Sequence, residues 1–382
     1  MRNRFIALAL FIASAGLVLH ADQDRSEDKA GVVYTASNRV AGNEILVFDR
    51  DERGGLSFAQ AFPTGGLGTG GGLGNQGGLV LSADSRWLLV VNAGSNDVSV
   101  FRVYDDGLKL ASRTPSAGQR PVSVTIDRDL VYVLNAGGAV GGVDNIAGFR
   151  LDRRGRLHSI ANVVQPLSAP NTAPAQVGFT PDGDFLVVTE RATNLIGVFA
   201  IANGEDDDDE NHGVAGPGIF HQSAGVTPFG FSFDPRGHLL VSEAAGGAPD
   251  ASTVSSYSVA RDGELEVISG GVPTTESAAC WLVVTDNGRF AFTTNTGSGT
   301  VSAFRVHRDG ALALLDDDGV AASTGTGSAP ADAALSVGSQ FLYTRNGGNG
   351  TISAFRVTRT GDLTPLSTLT GLPAGANGIA AR

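Results

Sequence analysis

Three stretches of this 382-residue chain say nearly the same thing: NAGSNDVSVFRV from Asn92, NTGSGTVSAFRV from Asn295 and NGGNGTISAFRV from Asn346. The last two begin 51 residues apart and the first two 203, close to four such steps. A period near fifty points to a repeat architecture, in which each unit buries its apolar faces against its neighbours rather than in one central core. The aromatic of the VSVFRV strand can be followed through the whole chain. It recurs at Phe48, Phe101, Phe149, Phe199, Tyr257, Phe304 and Phe355, at intervals of 47 to 58 residues. Seven marks imply seven units.

Ahead of each aromatic stands another apolar run, such as WLLVVN from Trp87, FLVVTE from Phe185 or FLYTRN from Phe341. Ahead of six of those runs come a further short strand and a turn, as in VGFTPDGD from Val177 and LVVTDNGR from Leu282. Asp-Gly and Asn-Gly favour tight hairpins between such strands. Each unit therefore reads as four antiparallel strands, and the expected fold is all-β, a seven-bladed β-propeller. The first unit lacks its first strand. GIAAR, residues 378–382, comes after the fourth strand of the last unit and has no partners of its own. Placing it in blade one closes the ring and leaves only short strand edges exposed.

The chain opens with MRNR and an apolar run at 5–19, shorter than a membrane-spanning helix. This is the pattern of an export signal. The expected division is a cleaved leader at 1–21, a polar linker at 22–30 and the propeller at 31–382. The product is an exported protein, periplasmic or secreted, free of the membrane after cleavage and monomeric. A net charge of −12 makes nucleic acid and anionic lipid poor partners. Cys280 is the only cysteine, so no disulfide forms within the chain.

Several motifs read more simply as structure. Gly66, Gly68 and Gly71 spell G-x-G-x-x-G, but they lead into the first strand of blade two and not into the helix a dinucleotide site needs. Residues 64–79 read instead as an inter-blade loop able to lie over one mouth of the ring. The acidic run GEDDDDENHG from Gly204 lacks the spaced pattern of a calcium loop and reads as a solvated insertion, as does the shorter LLDDDGV. No H-E-x-x-H, C-x-x-C-H or G-x-S-x-G occurs, which removes the chemistry of zinc proteases, c-type haem proteins and serine hydrolases.

The ends of the second strands are more informative, because in a propeller they gather at one mouth. They carry Asn38, Asn92, Asn135, Glu190 with Arg191, Glu243, Asn295, and Arg345 with Asn346; Gln76 and Gln176 stand just before first strands. Glu190 or Glu243 could deprotonate a water, and Arg191 or Arg345 could stabilise an oxyanion. Gln76, Asn92, Asn135 and Asn295 could orient a substrate. The Glu and Asn groups could instead hold a hard divalent ion that activates water, although no cofactor is firmly implied. The competing reading is that these residues tie inter-blade turns together.

The phrases LLVVNAGSNDVSVFRV, FAFTTNTGSGTVSAFRV and FTPDGDFLVVTER resemble the seven-bladed lactonase family. That family includes the propeller-type 6-phosphogluconolactonases and the fungal carboxymuconate-lactonising enzymes. The phrases are also similar to the Tyr-Val-Thr-Asn propeller repeats of secreted and surface proteins. The resemblance covers nearly all of the chain after the leader. It implies opening or closing of a lactone ring at the channel mouth, with Glu190, Arg191 and Glu243 nearest to the family's functional Glu and Arg. Two functions therefore stay open: an exported hydrolase of a small lactone, or a non-catalytic propeller that binds a ligand or protein partner. A mouth with converging Glu and Arg favours the first, and a mouth plugged by residues 64–79 favours the second.

Overall fold

The structure, a computed structural model, describes residues 30–202 and 212–382, the side chains of residues 161 and 162 excepted. The expected leader, nearly all of the linker and most of the acidic insertion lie outside these residues. Among the described residues no helix is long and apolar enough to cross a membrane.

Seven antiparallel sheets succeed one another along the chain. Blade one contains Gly31–Ala36, Glu44–Arg50 and Leu56–Pro63, with Asn377–Ala381 as its innermost strand. Val33 pairs with Ala381 and Tyr34 with Ala380, so the C-terminus closes the ring in the blade that lacked a strand. Blade six departs from the four-strand plan. Its outer position is divided between Leu312–Leu314 and Ala322–Ser323, both paired with Thr300–Val306, and the acidic LLDDDGV run falls between them.

The second strands are buried along their whole length, as in Trp87–Asn92, Phe185–Glu190 and Phe341–Asn346. Blades cover both of their faces, which is why they read as unbroken apolar runs rather than alternating ones. The outer strand Leu56–Pro63 has only half-buried and exposed residues. The recurring third-strand aromatic packs onto the preceding blade. Phe101 lies with Val32 and Tyr34 of blade one, Phe48 with Phe341 and Tyr343 of blade seven, and Tyr257 with Phe185 of blade four. Each such burial contributes about 1.5–3 kcal/mol, and it recurs at every seam. The repeated phrase is the sequence mark of that seam.

Candidate functional site

The second strands end, and the first strands begin, at one face of the ring, its upper mouth. The residues closing the second strands do one mechanical job. Asn92 donates to Asp97 Oδ1 at 2.7 Å and Ser99 Oγ at 2.8 Å, both on the next strand of its own blade. Its Oδ1 accepts from Thr64 and Asn43 at the seam with blade one. Asn295 donates to Thr300 and Ser302, and Asn346 to Thr351 and Ser353. Asn135 donates to Asn145 Oδ1 and to the Ser116 carbonyl.

Blades four and five replace Asn by Glu, and their partners become donors. Glu190 accepts from the Ser168 N–H at 3.0 Å, the Ser168 hydroxyl and the Thr193 hydroxyl at 2.7 Å. Glu243 accepts from the Gly225 N–H at 2.9 Å, from Ser255 at 2.9 Å, from Ser223 at 3.1 Å, from Thr253, and more weakly from Tyr257 at 3.4 Å. Both glutamates are 0% exposed. Neither carboxylate stands unbonded at the mouth: Glu190 accepts three hydrogen bonds and Glu243 five, each from its own blade and from the connection that leads into it. Asn92, Asn135, Glu190, Glu243 and Asn295 each stand in a separate blade, and none hydrogen-bonds to another of this set; Asn295 bonds only within its own blade, and the Oδ1 atoms of Asn135 and Asn295 have no partner among the described residues.

Residues 64–78 lie across the mouth as a strap. Gly68 and Gly70 donate to the backbone of Arg39 and Asn38, and Asn38 holds Thr69 and Gly71 through its amide. Gly74 then passes so close to Arg191 that a Cβ on it would meet Nη1 at 2.9 Å. Asn75 binds Asn377 of blade one and the Val122 carbonyl of blade three, and its own carbonyl accepts from the Trp281 indole at 2.7 Å. The Gln76 N–H donates to the Ala175 carbonyl of blade four at 3.0 Å.

The Gln76 side chain completes the plug. Its amide donates to the Leu282 carbonyl at 2.8 Å and accepts from the Leu282 N–H at 3.0 Å, joining blades two and six. Gln176 of blade four makes the same pair of bonds with Phe231 of blade five. By register the residue of blade five equivalent to Gln176 is Gly230. Gly230 has no side chain to offer, and a Cβ there would lie 2.0 Å from Gln76 Oε1. Blade five thus leaves empty the seat that the strap fills.

Two groups on the ring keep unused hydrogen-bonding capacity. Arg191 donates through Nε to the Ala173 carbonyl at 2.9 Å and stacks on Phe229, 5.1 Å from the ring centroid. Phe229 packs in turn on Trp281. Burial lowers the pKa of Arg191, and the nearby Arg120 charge pulls the same way. Among the described residues no carboxylate pairs with the guanidinium of Arg191 or Arg120, and no acceptor meets the Nη atoms of Arg191. On blade seven, Arg345 is buried; its Nη2 donates to the Ala331 carbonyl and its Nε has no partner. Beside it is Asp332, 3% exposed, which among the described residues accepts only from the Ala333 N–H. Burial pushes Asp332 up to about 7, against the opposing pull of Arg345.

Asp332 was missed by sequence reasoning. It stands on a first strand, Pro330–Leu335, and not at the end of a second strand, where the polar residues recur. Arg120 was missed because it precedes a first strand without any recurring partner. Among the described residues no three His, Cys, Asp or Glu side chains converge to hold a metal ion.

A sequence profile described as "Lactonase, 7-bladed beta-propeller" matches residues 42–166 and 238–376. The stretch between the two matched segments contains blade four, and with it Glu190 and Arg191. No curated protein matches the chain. Among solved structures, a candidate 6-phosphogluconolactonase from Bacteroides fragilis is 21% identical, with a TM-score of 0.70 over 94% of this chain and 100% of that one. A protein from Lactobacillus plantarum superposes with a TM-score of 0.71 at 16% identity, covering 92% and 99%. A periplasmic gluconolactonase from Pseudomonas aeruginosa gives 0.69 at 18% identity, covering 91% and 98%. At these identities the structures establish the fold alone.

Proposed function

The chain belongs to the lactonase family of seven-bladed β-propellers, and from that premise we propose that it is an exported lactonase acting on a small lactone at the upper mouth. The observation that carries the reading is the Arg191 guanidinium, fixed by Ala173 and Phe229 but with its Nη atoms unclaimed. A lactone carbonyl placed there would develop its negative charge against Arg191, with Arg120 adding to the field. Arg345 and Asp332 form the second half of the proposal. Asp332 has the proton affinity suited to taking a proton from water near neutrality. Glu190 and Glu243, the bases read from sequence, are fully buried and already accept three and five hydrogen bonds, so we assign the proton transfer to Asp332. Since the strap fills the mouth, groups on blades four and seven would meet one substrate only when residues 74–77 move aside. Export rests on the leader-like sequence at 1–21.

The strap also supports a second reading, a propeller that binds its ligand without turning it over. One experiment separates the two. The purified mature protein is assayed on a panel of lactones, with and without chelator, and binding of the same compounds is measured by calorimetry. Arg191→Gln should lower turnover by about two orders of magnitude while the melting curve is retained. Binding without ring opening on any lactone would leave the second reading, and Arg191→Gln turnover equal to wild type would remove Arg191 from the chemistry.

A further inference from the structure

A pairing that three of the seven blades share is kept only in half at a fourth. In blades two, six and seven the second strand starts with a large aromatic directly opposite an arginine of the third strand: Trp87 with Arg102, Phe290 with Arg305, Phe341 with Arg356. In each the guanidinium lies over the ring, 4.8, 5.5 and 5.0 Å from its centroid. A turn glycine of the next blade presses on the same aromatic. A Cβ on Gly155, Gly361 or Gly54 would come within 2.5 Å of the ring.

Blade four keeps the aromatic and loses the arginine. Phe185 stands opposite Ala200. The next blade also stands back, and a Cβ on its turn glycine, Gly263, would be 3.3 Å from Phe185. Between these two blades, on the face of the ring remote from the strap, is a cavity of about 790 Å³ lined by Phe185 and Ala200. Asp182 and Asp262 stand on its wall, and each spends one oxygen on its own turn, leaving the other. Two arginines share the rim, but Arg236 is drawn away to Asp234 and the Gly288 carbonyl, and Arg261 is exposed.

We propose that this cavity is a binding site for a small molecule bearing a guanidinium group. Such a group would take the place that an intrinsic arginine holds in three other blades. Its planar face would lie toward Phe185, and its N–H donors would meet the free oxygens of Asp182 and Asp262. The protein would thus recognise from outside what it builds elsewhere from its own chain. The proposal does not depend on the chemistry at the opposite mouth.

The test uses N-acetylarginine amide and its neutral isostere N-acetylcitrulline amide, with calorimetry and thermal shift on the full mature chain. Saturable binding of the arginine compound is expected, with the citrulline compound at least about tenfold weaker because it lacks the charge. Ala200→Arg places the missing guanidinium in the cavity. It should keep or raise the melting temperature and weaken ligand binding by at least about tenfold. Asp262→Asn, a surface change that leaves the fold intact, should weaken binding several-fold. Equal binding of the two compounds, or full binding to the Ala200→Arg protein, overturns the proposal. So does the absence of saturable binding. Binding that survives Ala200→Arg but disappears when residues 206–209 are changed to Ser would place the cation on the acidic insertion instead, which also overturns it.

Discussion

Replacing Glu243 separates a brace from a base. Its carboxylate meets only donors: the Gly225 N–H and the Ser223 and Tyr257 hydroxyls at Oε1, and the Thr253 and Ser255 hydroxyls at Oε2. In Glu243→Gln, Oε1 still serves Gly225 and Ser223. The amide nitrogen now faces Thr253 and Ser255, whose hydroxyls must turn from donating to accepting. Ser255 already accepts from the Gly271 N–H, so it is left with an extra proton to place. Two bonds to a carboxylate become two to an amide, at a cost of about 1 kcal/mol each, so about 2 kcal/mol in all. Glu243→Ala removes every acceptor and strands a buried N–H that cannot turn, which costs about 3–5 kcal/mol. With an unfolding entropy of about 2 cal/mol/K per residue, a ring of this length loses about 3 °C of melting temperature in the first case and about 4–7 °C in the second. Calorimetric melting measures both. Turnover per folded molecule of Glu243→Gln, on any lactone the wild type opens, should stay within about threefold of wild type. An unchanged melting temperature with turnover reduced about a hundredfold would refute the brace and restore Glu243 as a base.

Gln76→Ala should cost about 2–4 kcal/mol, because it leaves a buried N–H and a carbonyl of Leu282 unpaired; hydrogen exchange of the segment around Leu282 should accelerate more than that of the equivalent segment around Phe231, which Gln176 still holds. Asp332 gives a pH signature. Its folded pKa, about 7, lies above the ordinary carboxyl value of 3.8, so the fold binds the proton more tightly than the unfolded chain does. The associated stability is fully present below about pH 4 and is lost as the pH rises through about 7. Asp332→Asn should therefore gain stability relative to wild type between about pH 5 and pH 8, and a difference in melting temperature that is constant over this range would show that Asp332 does not titrate there.

The blades, their number, the closing strand and the seam aromatics were legible in the sequence because they arise from local periodicity repeated at a fixed interval. Even the brace had a signature: Asn92, Asn295 and Asn346 are each trailed five residues later by Asp or Thr and seven residues later by Ser, the two partners each amide binds. That spacing marks a residue turned toward its own hairpin rather than toward a substrate. In blade four the connection has the same length, Glu190 pairing with Leu195, but Leu195 and Gly197 carry no hydroxyl and the donors come instead from Ser168 and Thr193; in blade five the connection is longer, so Thr253 and Ser255 fall out of that spacing and the carboxylates look free when read alone. What the sequence could not contain is where the strap docks. Gln76 meets Leu282 across 206 residues of chain, at a seat emptied by Gly230, and neither partner carries a local mark of the other. Asp332 is similar: an acid on a strand reads as exposed until the ring closes around it. Periodic pattern specifies how each blade packs, because neighbours along the chain are neighbours in space. Where the channel is filled, which carboxylates are spent and which arginines remain unpaired depend on groups brought together only when the last strand joins the first blade.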